Sequence, residues 1–160
     1  MLHVTVFLAY ALRLDQSISH SQCSDRSIRS RCSGSVESLS ERFAHAVETL
    51  DCDVILSTGG VSMGGEVDLV KHVLSERLGG VMHFGQLFMK PGKPTAFYTL
   101  QRSTAFTERS TRYVFALPGN PVSAIVTCLL LVLPALCALA GAREPAFRRI
   151  PVRVSSTPNI

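Results

Sequence analysis

The chain has no C-x-x-C pair among its five cysteines (Cys23, Cys32, Cys52, Cys128, Cys137), and five is an odd number. His20 and Cys23 stand at a ligand-like spacing, but no second pair joins them. This argues against a structural zinc site or a disulfide scaffold, and a reducing compartment, the cytoplasm, is expected. Charge is also scarce: only 18% of residues are Asp, Glu, Lys or Arg, and the formal net charge is +4. Arginine gathers in two places, Arg26–Arg31 and Arg143–Arg153, with only Phe147 interleaved. That is too little aromatic surface to stack on bases, so no nucleic-acid partner is expected. No Ser/His/Asp order stands out, which leaves no nucleophilic triad, and His72 and His83 read as surface or packing residues. A basic region ahead of the short apolar stretch Met1–Leu12 is missing too, which argues against a secretion signal despite Ala9-Tyr10-Ala11.

What is present is a globular composition, with 46% hydrophobic residues in 160, one domain's worth of chain. Residues 15–40 are rich in Ser and Arg without hydrophobic periodicity. The reading there is a poorly ordered N-terminal segment, 1–35, ahead of the domain. From Val36, the apolar positions Leu39, Phe43, Val47 and Leu50 recur at helical steps. Asp53–Ser57 reads as a short buried strand and Thr58–Gly65 as a Gly-rich turn. Val67–Leu78 follows as a helix ending at Gly79-Gly80.

Val81–Met89 alternates as a strand with Val81, His83, Gly85, Leu87 and Met89 on one face. A rigid turn follows at Pro91, Gly92 and Pro94, then a strand over Thr95–Leu100, a polar loop over Gln101–Arg112 and a third extended run, Tyr113–Leu117. A helix from Pro121 stops near Gly141, and Cys128 and Cys137 on it read as small core residues. Ser123–Ala142 carries no charge and is long enough to span a bilayer. Pro134 interrupts it, and a helix packed on both sides in an α/β core looks equally apolar, so burial rather than membrane insertion is expected. Ile150–Val154 begins a further strand.

This succession implies an α/β sheet with helices on its faces. Three Gly/Pro-rich turns, 58–65, 90–94 and 118–121, follow predicted strands. If those strands run in one direction, the turns converge on a single rim, where ligands of such sheets bind.

Each turn carries chemistry suited to an anion. In Thr58–Asp68, Gly59 and Gly60 allow close backbone approach and Ser62 adds a hydroxyl, while Glu66 and Asp68 bring two acids. A carboxylate at such a rim could hold a divalent metal or repel a competing anion. Asp68 leads for that role, although a first-turn helix acid fits the local pattern equally well. Lys90 and Lys93, set three apart and stiffened by Pro91 and Pro94, offer compact point charges; a merely solvated basic turn is the plainer alternative. In the third turn, Gly119 precedes Asn120, a good N-cap, and Pro121 at the first helical position. Ser123 then falls beside backbone N–H groups with no helical partner.

Three ordered runs resemble the molybdopterin molybdotransferase family, meaning MoeA and the gephyrin E domain. They are Gly59–Gly64, His83–Thr95 and Phe115–Ala124, and the likeness spans about Val36–Arg153. The resemblance implies a three-layer MogA/MoaB-like α/β molybdopterin-binding domain over 36–147, N-terminally incomplete, with 148–160 starting a C-terminal β domain. It implies insertion of molybdate into adenylylated molybdopterin with release of AMP, assisted by Mg2+. Lys90, Lys93, Pro94 and Ser123 match the molybdate-site positions, and Ser62 and Asp68 match the neighbouring positions that serve the metal or the hydrolysis. One departure is visible: Gly65, Glu66 and Val67 separate Gly64 from Asp68, one residue more than the family's spacing. Either Asp68 reaches the site through a looser turn or Glu66 substitutes for it. The first 35 residues show neither the family's Thr-Gly-Asp/Glu loop nor its Asp-Ser-Asn-like segment, so this fragment by itself is expected to be inactive. The resemblance further implies a homodimer and small-molecule substrates. The alternative is a non-catalytic gephyrin-like scaffold fragment with receptor or cytoskeletal partners.

Overall fold

The computed structural model describes residues 35–48, 53–61, 68–104, 107–148 and 150–151. Helix α1 spans Val36–Glu48 and buries Leu39, Phe43, Ala46 and Val47, which recur at three- and four-residue steps and so line one face. Strand β1 (Val54–Thr58) is followed by α2, which starts at Leu69–His72 and continues as a wider turn over Val73–Arg77. There the hydrogen bonding slips to i→i−5, with the Leu78 amide on the Val73 carbonyl at 3.1 Å. Gly79, at φ 62°, then ends the helix, and the Gly80 amide reaches back to the Leu74 carbonyl.

Strands β2 (Val81–Phe84), β3 (Ala96–Thr104) and β4 (Thr107–Leu117) follow, and helix α3 runs over Pro121–Leu139. The sheet order is β1-β4-β3-β2. β1 lies parallel to β4, while β3 is antiparallel to both β4 and β2. Consequently β1, β2 and β4 all point the same way, and their C-terminal ends share one edge of the sheet.

Strand alternation sorts the side chains into two layers of core. On one face Ile55, Ala96, Tyr98, Leu100, Val114 and Ala116 pack against α1 and α2. On the other, Val54, Phe115 and Leu117 meet Val132, Cys128, Leu136 and Leu139 of α3. The result is the expected three-layer arrangement of helix, sheet and helix.

Four sequence expectations are corrected. The predicted strand Val81–Met89 stops at Phe84, because a register shift between Met82 and Phe84 ends its pairing with β3. Residues 85–95 form a loop instead, closed by the Leu87 amide on the Lys93 carbonyl at 2.8 Å. The predicted polar loop Gln101–Arg112 is a long hairpin, since β3 and β4 continue their pairing outward from Leu100↔Arg112 through Gln101↔Thr111 and beyond. Backbone pairing continues an antiparallel ladder whatever its side chains, so a polar run does not end it. α3 is not packed on both sides: Val122, Ile125, Leu129 and Leu130 are 63%, 61%, 48% and 54% exposed. Only its inner face meets the sheet among the described residues. Finally, Ile150 and Pro151 have no strand conformation, and the rest of the predicted strand Ile150–Val154 lies outside the described residues, as do residues 1–34.

Candidate functional site

The three turns do gather on one rim. β1 and β4 end side by side with Thr58 opposite Leu117, and the Gly59 amide donates to the Leu117 carbonyl at 3.0 Å, carrying the pairing one step past the strand. Gly119 then lies so close that a Cβ on it would stand 3.2 Å from Gly59 Cα. Backbone meets backbone there, and a side chain on Gly119 would wedge the first and third turns apart. Gly60 accepts from the Val70 amide at 3.3 Å, which ties the first turn to the start of α2. Ser62 and Glu66, both expected at this site, lie outside the described residues.

The lysine turn is anchored to the third turn's helix. Gly92 has φ 113°, and a Cβ there would stand 2.5 Å from the Thr127 methyl of α3. Thr95 holds the turn closed from the other side, its hydroxyl donating to the Gly92 carbonyl at 2.6 Å and its amide to the same oxygen at 3.1 Å. Thr127 in turn donates its hydroxyl to the Ser123 carbonyl at 2.8 Å. Lys90 and Lys93 stand exposed on this braced loop, with Pro94 half-buried beside them. Two cations on a fixed turn thus sit over a loop docked on the first turns of α3.

At the head of α3 the predicted cap is present. Asn120 is extended (φ −69°, ψ 126°) and its side-chain oxygen accepts from the Ser123 amide at 3.1 Å. Pro121 follows at the first helical position. The cap narrows what the helix start can offer. Ser123's own amide is spent on Asn120, and the Ala124 amide on the Asn120 carbonyl at 2.9 Å. The Ser123 hydroxyl also leans on the cap, donating to Asn120 Oδ1 at a long 3.4 Å. A ligand there would meet the Val122 amide, a hydroxyl that must turn away from Asn120 to donate, and the helix dipole.

Asp68 stands where the sequence allowed two readings. Its Oδ1 caps α2 by accepting from the Lys71 amide at 3.2 Å. Its Oδ2 lies 2.9 Å from Lys71 Nζ but is buried without an aligned hydrogen bond. The described residues contain no group of three or more His, Cys, Asp or Glu that could enclose a metal. Mg2+ does not need such a cage, because it ordinarily takes one or two protein carboxylates and completes its shell with water and phosphate oxygens. A buried carboxylate oxygen held, among the described residues, by a neighbouring charge fits that minimal role.

Sequence reasoning missed Lys71, although its three-residue spacing from Asp68 on a helix was a usable signal. Its stem leans across to the next loop, with Cε 3.7 Å from where a Gly85 Cβ would stand. Beneath it, Tyr98 of β3 donates its hydroxyl to Met82 Sδ at 3.2 Å. Burial is the main reason the Tyr98 phenol is pushed above its ordinary pKa; a hydrogen bond with Ser75 opposes this and the Asp68 charge adds to it. The expected histidine roles are met in part by His83, whose Nε2 lies 2.9 Å from Thr99 Oγ1 and whose ring packs 5.2 Å from Phe97. Burial also raises the Cys128 thiol, as befits a packing residue rather than a nucleophile.

Fold and rim together define a three-layer α/β domain whose strand ends, Gly-rich turns and lysine loop share one edge. The chain belongs to the family described as "Probable molybdopterin binding domain", which matches residues 21–138, within the MoeA/gephyrin group. It is similar to gephyrin of Dictyostelium discoideum, 48% identical over 103 residues that cover 58% of this chain and 14% of that protein. The molybdenum cofactor synthesis protein cinnamon of Drosophila melanogaster is 43% identical over 108 residues, 64% of this chain and 16% of its own length. A molybdopterin molybdenumtransferase of Haemophilus influenzae is 41% identical over 92 residues, 58% of this chain and 20% of that enzyme. Among solved structures, the molybdopterin biosynthesis MoeA protein from Pyrococcus horikosii superposes with a TM-score of 0.54 at 30% identity, over 69% of this chain and 24% of that one. The chain therefore spans between 14% and 24% of the length of these relatives.

Proposed function

We propose that this chain supplies the molybdate-binding rim of a molybdopterin molybdotransferase, the site at which molybdate enters adenylylated molybdopterin and AMP leaves. The observation that carries this reading is the docking of the Lys90–Lys93 turn on the head of α3 through Gly92 and Thr127. It presents two ammonium groups and the Ser123 hydroxyl from neighbouring segments, a set suited to a tetrahedral dianion. The name of one relative, molybdopterin molybdenumtransferase, supports molybdate as that anion.

In this reading Lys90, Lys93 and Ser123 bind the oxyanion and hold its charge in place. Gly59, Gly60 and Gly119 let substrate phosphates approach the backbone. Asp68 would carry Mg2+, which when bound would neutralise charge at the pyrophosphate. A cytoplasmic homodimer belongs to the same proposal, and α3 acts as a packing helix of the domain.

The test follows AMP release from adenylylated molybdopterin with Mg2+ and molybdate, using the purified chain beside a full-length relative. Release by both supports insertion by this chain alone; release by the relative only would show that the rim needs the rest of its protein. Lys93→Ala, placed in whichever protein is active, should raise the molybdate concentration needed for half-maximal release by on the order of tenfold or more, while pterin binding changes far less. Equal loss of both would remove Lys93 from the oxyanion role.

A further inference from the structure

Asp68 and Lys71 are more closely matched than a helix cap requires. One carboxylate oxygen, Oδ1, accepts from the Lys71 amide at 3.2 Å and completes the cap. The other, Oδ2, contributes nothing to the cap, is buried and has the Lys71 ammonium at 2.9 Å. Both side chains are mostly covered, at 20% and 18% exposure for Lys71 and Asp68. Lys71's stem rests by Gly85, where the loop carrying Lys90 and Lys93 begins. The ammonium thus occupies an approach to Oδ2 that another cation would compete for.

We propose that Lys71 is a built-in counter-ion of Asp68, exchangeable for a divalent cation, and so a positioning residue for the candidate site. Without the metal, Lys71 neutralises the carboxylate and holds it in place. When a divalent cation takes Oδ2, the cap through Oδ1 stays intact and the ammonium is released at the base of the lysine loop, where it adds to the charge facing an anion. An ion pair at 2.9 Å is a real competitor, because opposite charges attract more strongly the more they are shielded from water, and both heads are mostly covered. The inference rests on the reading of Asp68 as the metal-bearing acid, and its test does not depend on turnover.

Mn2+ serves as the probe, with free Mn2+ followed by electron paramagnetic resonance during titration of the whole chain. Lys71→Met keeps the apolar stem and removes the competing charge. It should bind Mn2+ on the order of tenfold tighter than the unaltered chain, and Lys71→Gln should behave alike should the Met variant fail to fold. Asp68→Asn should abolish the gain when combined with Lys71→Met. Equal or weaker Mn2+ binding by a folded Lys71 variant would overturn the proposal, as would a gain that survives Asp68→Asn or no binding by any form. If the exchange behaves as stated while neither this chain nor the relative tested beside it releases AMP, the insertion reading fails and the exchange stands.

Discussion

At the scale of single residues, the site depends on polar atoms whose partners are few and local. Asn120 was legible as a cap because only a short oxygen-bearing side chain at that position can reach the amide three residues on. Lys71 was not legible as part of the site, since a Lys three residues after an Asp is commonplace on helix surfaces and only the packed structure shows both heads covered. Tyr98 makes a pH-dependent prediction. Its buried phenol prefers to stay neutral, so its folded pKa lies above the usual value near 10. The folded form then holds this proton more tightly than the unfolded one does. The associated stability is fully present below pH 10 and is lost as pH rises from there through the folded pKa. Urea unfolding at pH 8 and pH 11 should show a smaller alkaline loss in Tyr98→Phe than in the unaltered chain. An equal loss in both would mean that Tyr98 is not the group responsible.

At the scale of elements, turn chemistry decides how the rim is assembled. Pro91, Gly92 and Pro94 announced a rigid turn, but nothing in the sequence revealed that Gly92 would face Thr127 of α3, thirty-odd residues further on. The missing Cβ is what lets the loop sit on the helix. Gly92→Ala combines a forbidding φ of 113° with a contact of 2.5 Å and should destabilise the fold by roughly 2–3 kcal/mol. Gly79→Ala meets no atom within 4 Å at φ 62° and should cost only about 1 kcal/mol, the left-handed penalty alone. Chemical denaturation of both variants provides the comparison, and equal losses would show that contact with Thr127 does not matter. The long hairpin of β3 and β4 escaped the periodicity argument for a related reason. Alternation of apolar and polar residues marks a strand only where one face is buried, and the outer hairpin is held by ladder hydrogen bonds.

At the scale of the whole molecule, β1 must join β4 in parallel across a connection of some fifty residues. The joint is secured at the end away from the rim. Arg112, 4% exposed, reaches Asp53 Oδ1 at 2.9 Å, while the Tyr113 amide donates to the Asp53 carbonyl at 2.8 Å. These contacts set the register that brings Thr58 level with Leu117 and hence Gly59 against Gly119. Arg112→Ala leaves Asp53 without this partner and should lower unfolding free energy by roughly 2–3 kcal/mol, less than a fully buried pair because Asp53 is 28% exposed. A loss under 0.5 kcal/mol in urea denaturation would indicate that backbone pairing alone holds β1. The outer face of α3 belongs to this scale too. Its uniform apolarity was legible, but uniform apolarity does not say how many sides are covered. The sheet takes one side, through Val132, Leu136 and Leu139.

By itself the sequence determined the class of the fold, the Asn120 cap and the Gly79 stop, and the three motifs that mark its family, while Pro134, read as an interruption, leaves α3 running on to Leu139. Those properties reside in neighbours along the chain and in the spacing of apolar residues. Only the tertiary structure decided that three turns separated by dozens of residues share one rim, that the lysine turn leans on α3, and that Asp68 carries its own ammonium partner. Such contacts depend on strand direction and register, which are settled when both faces of the sheet find their helices and cannot be read from any local run.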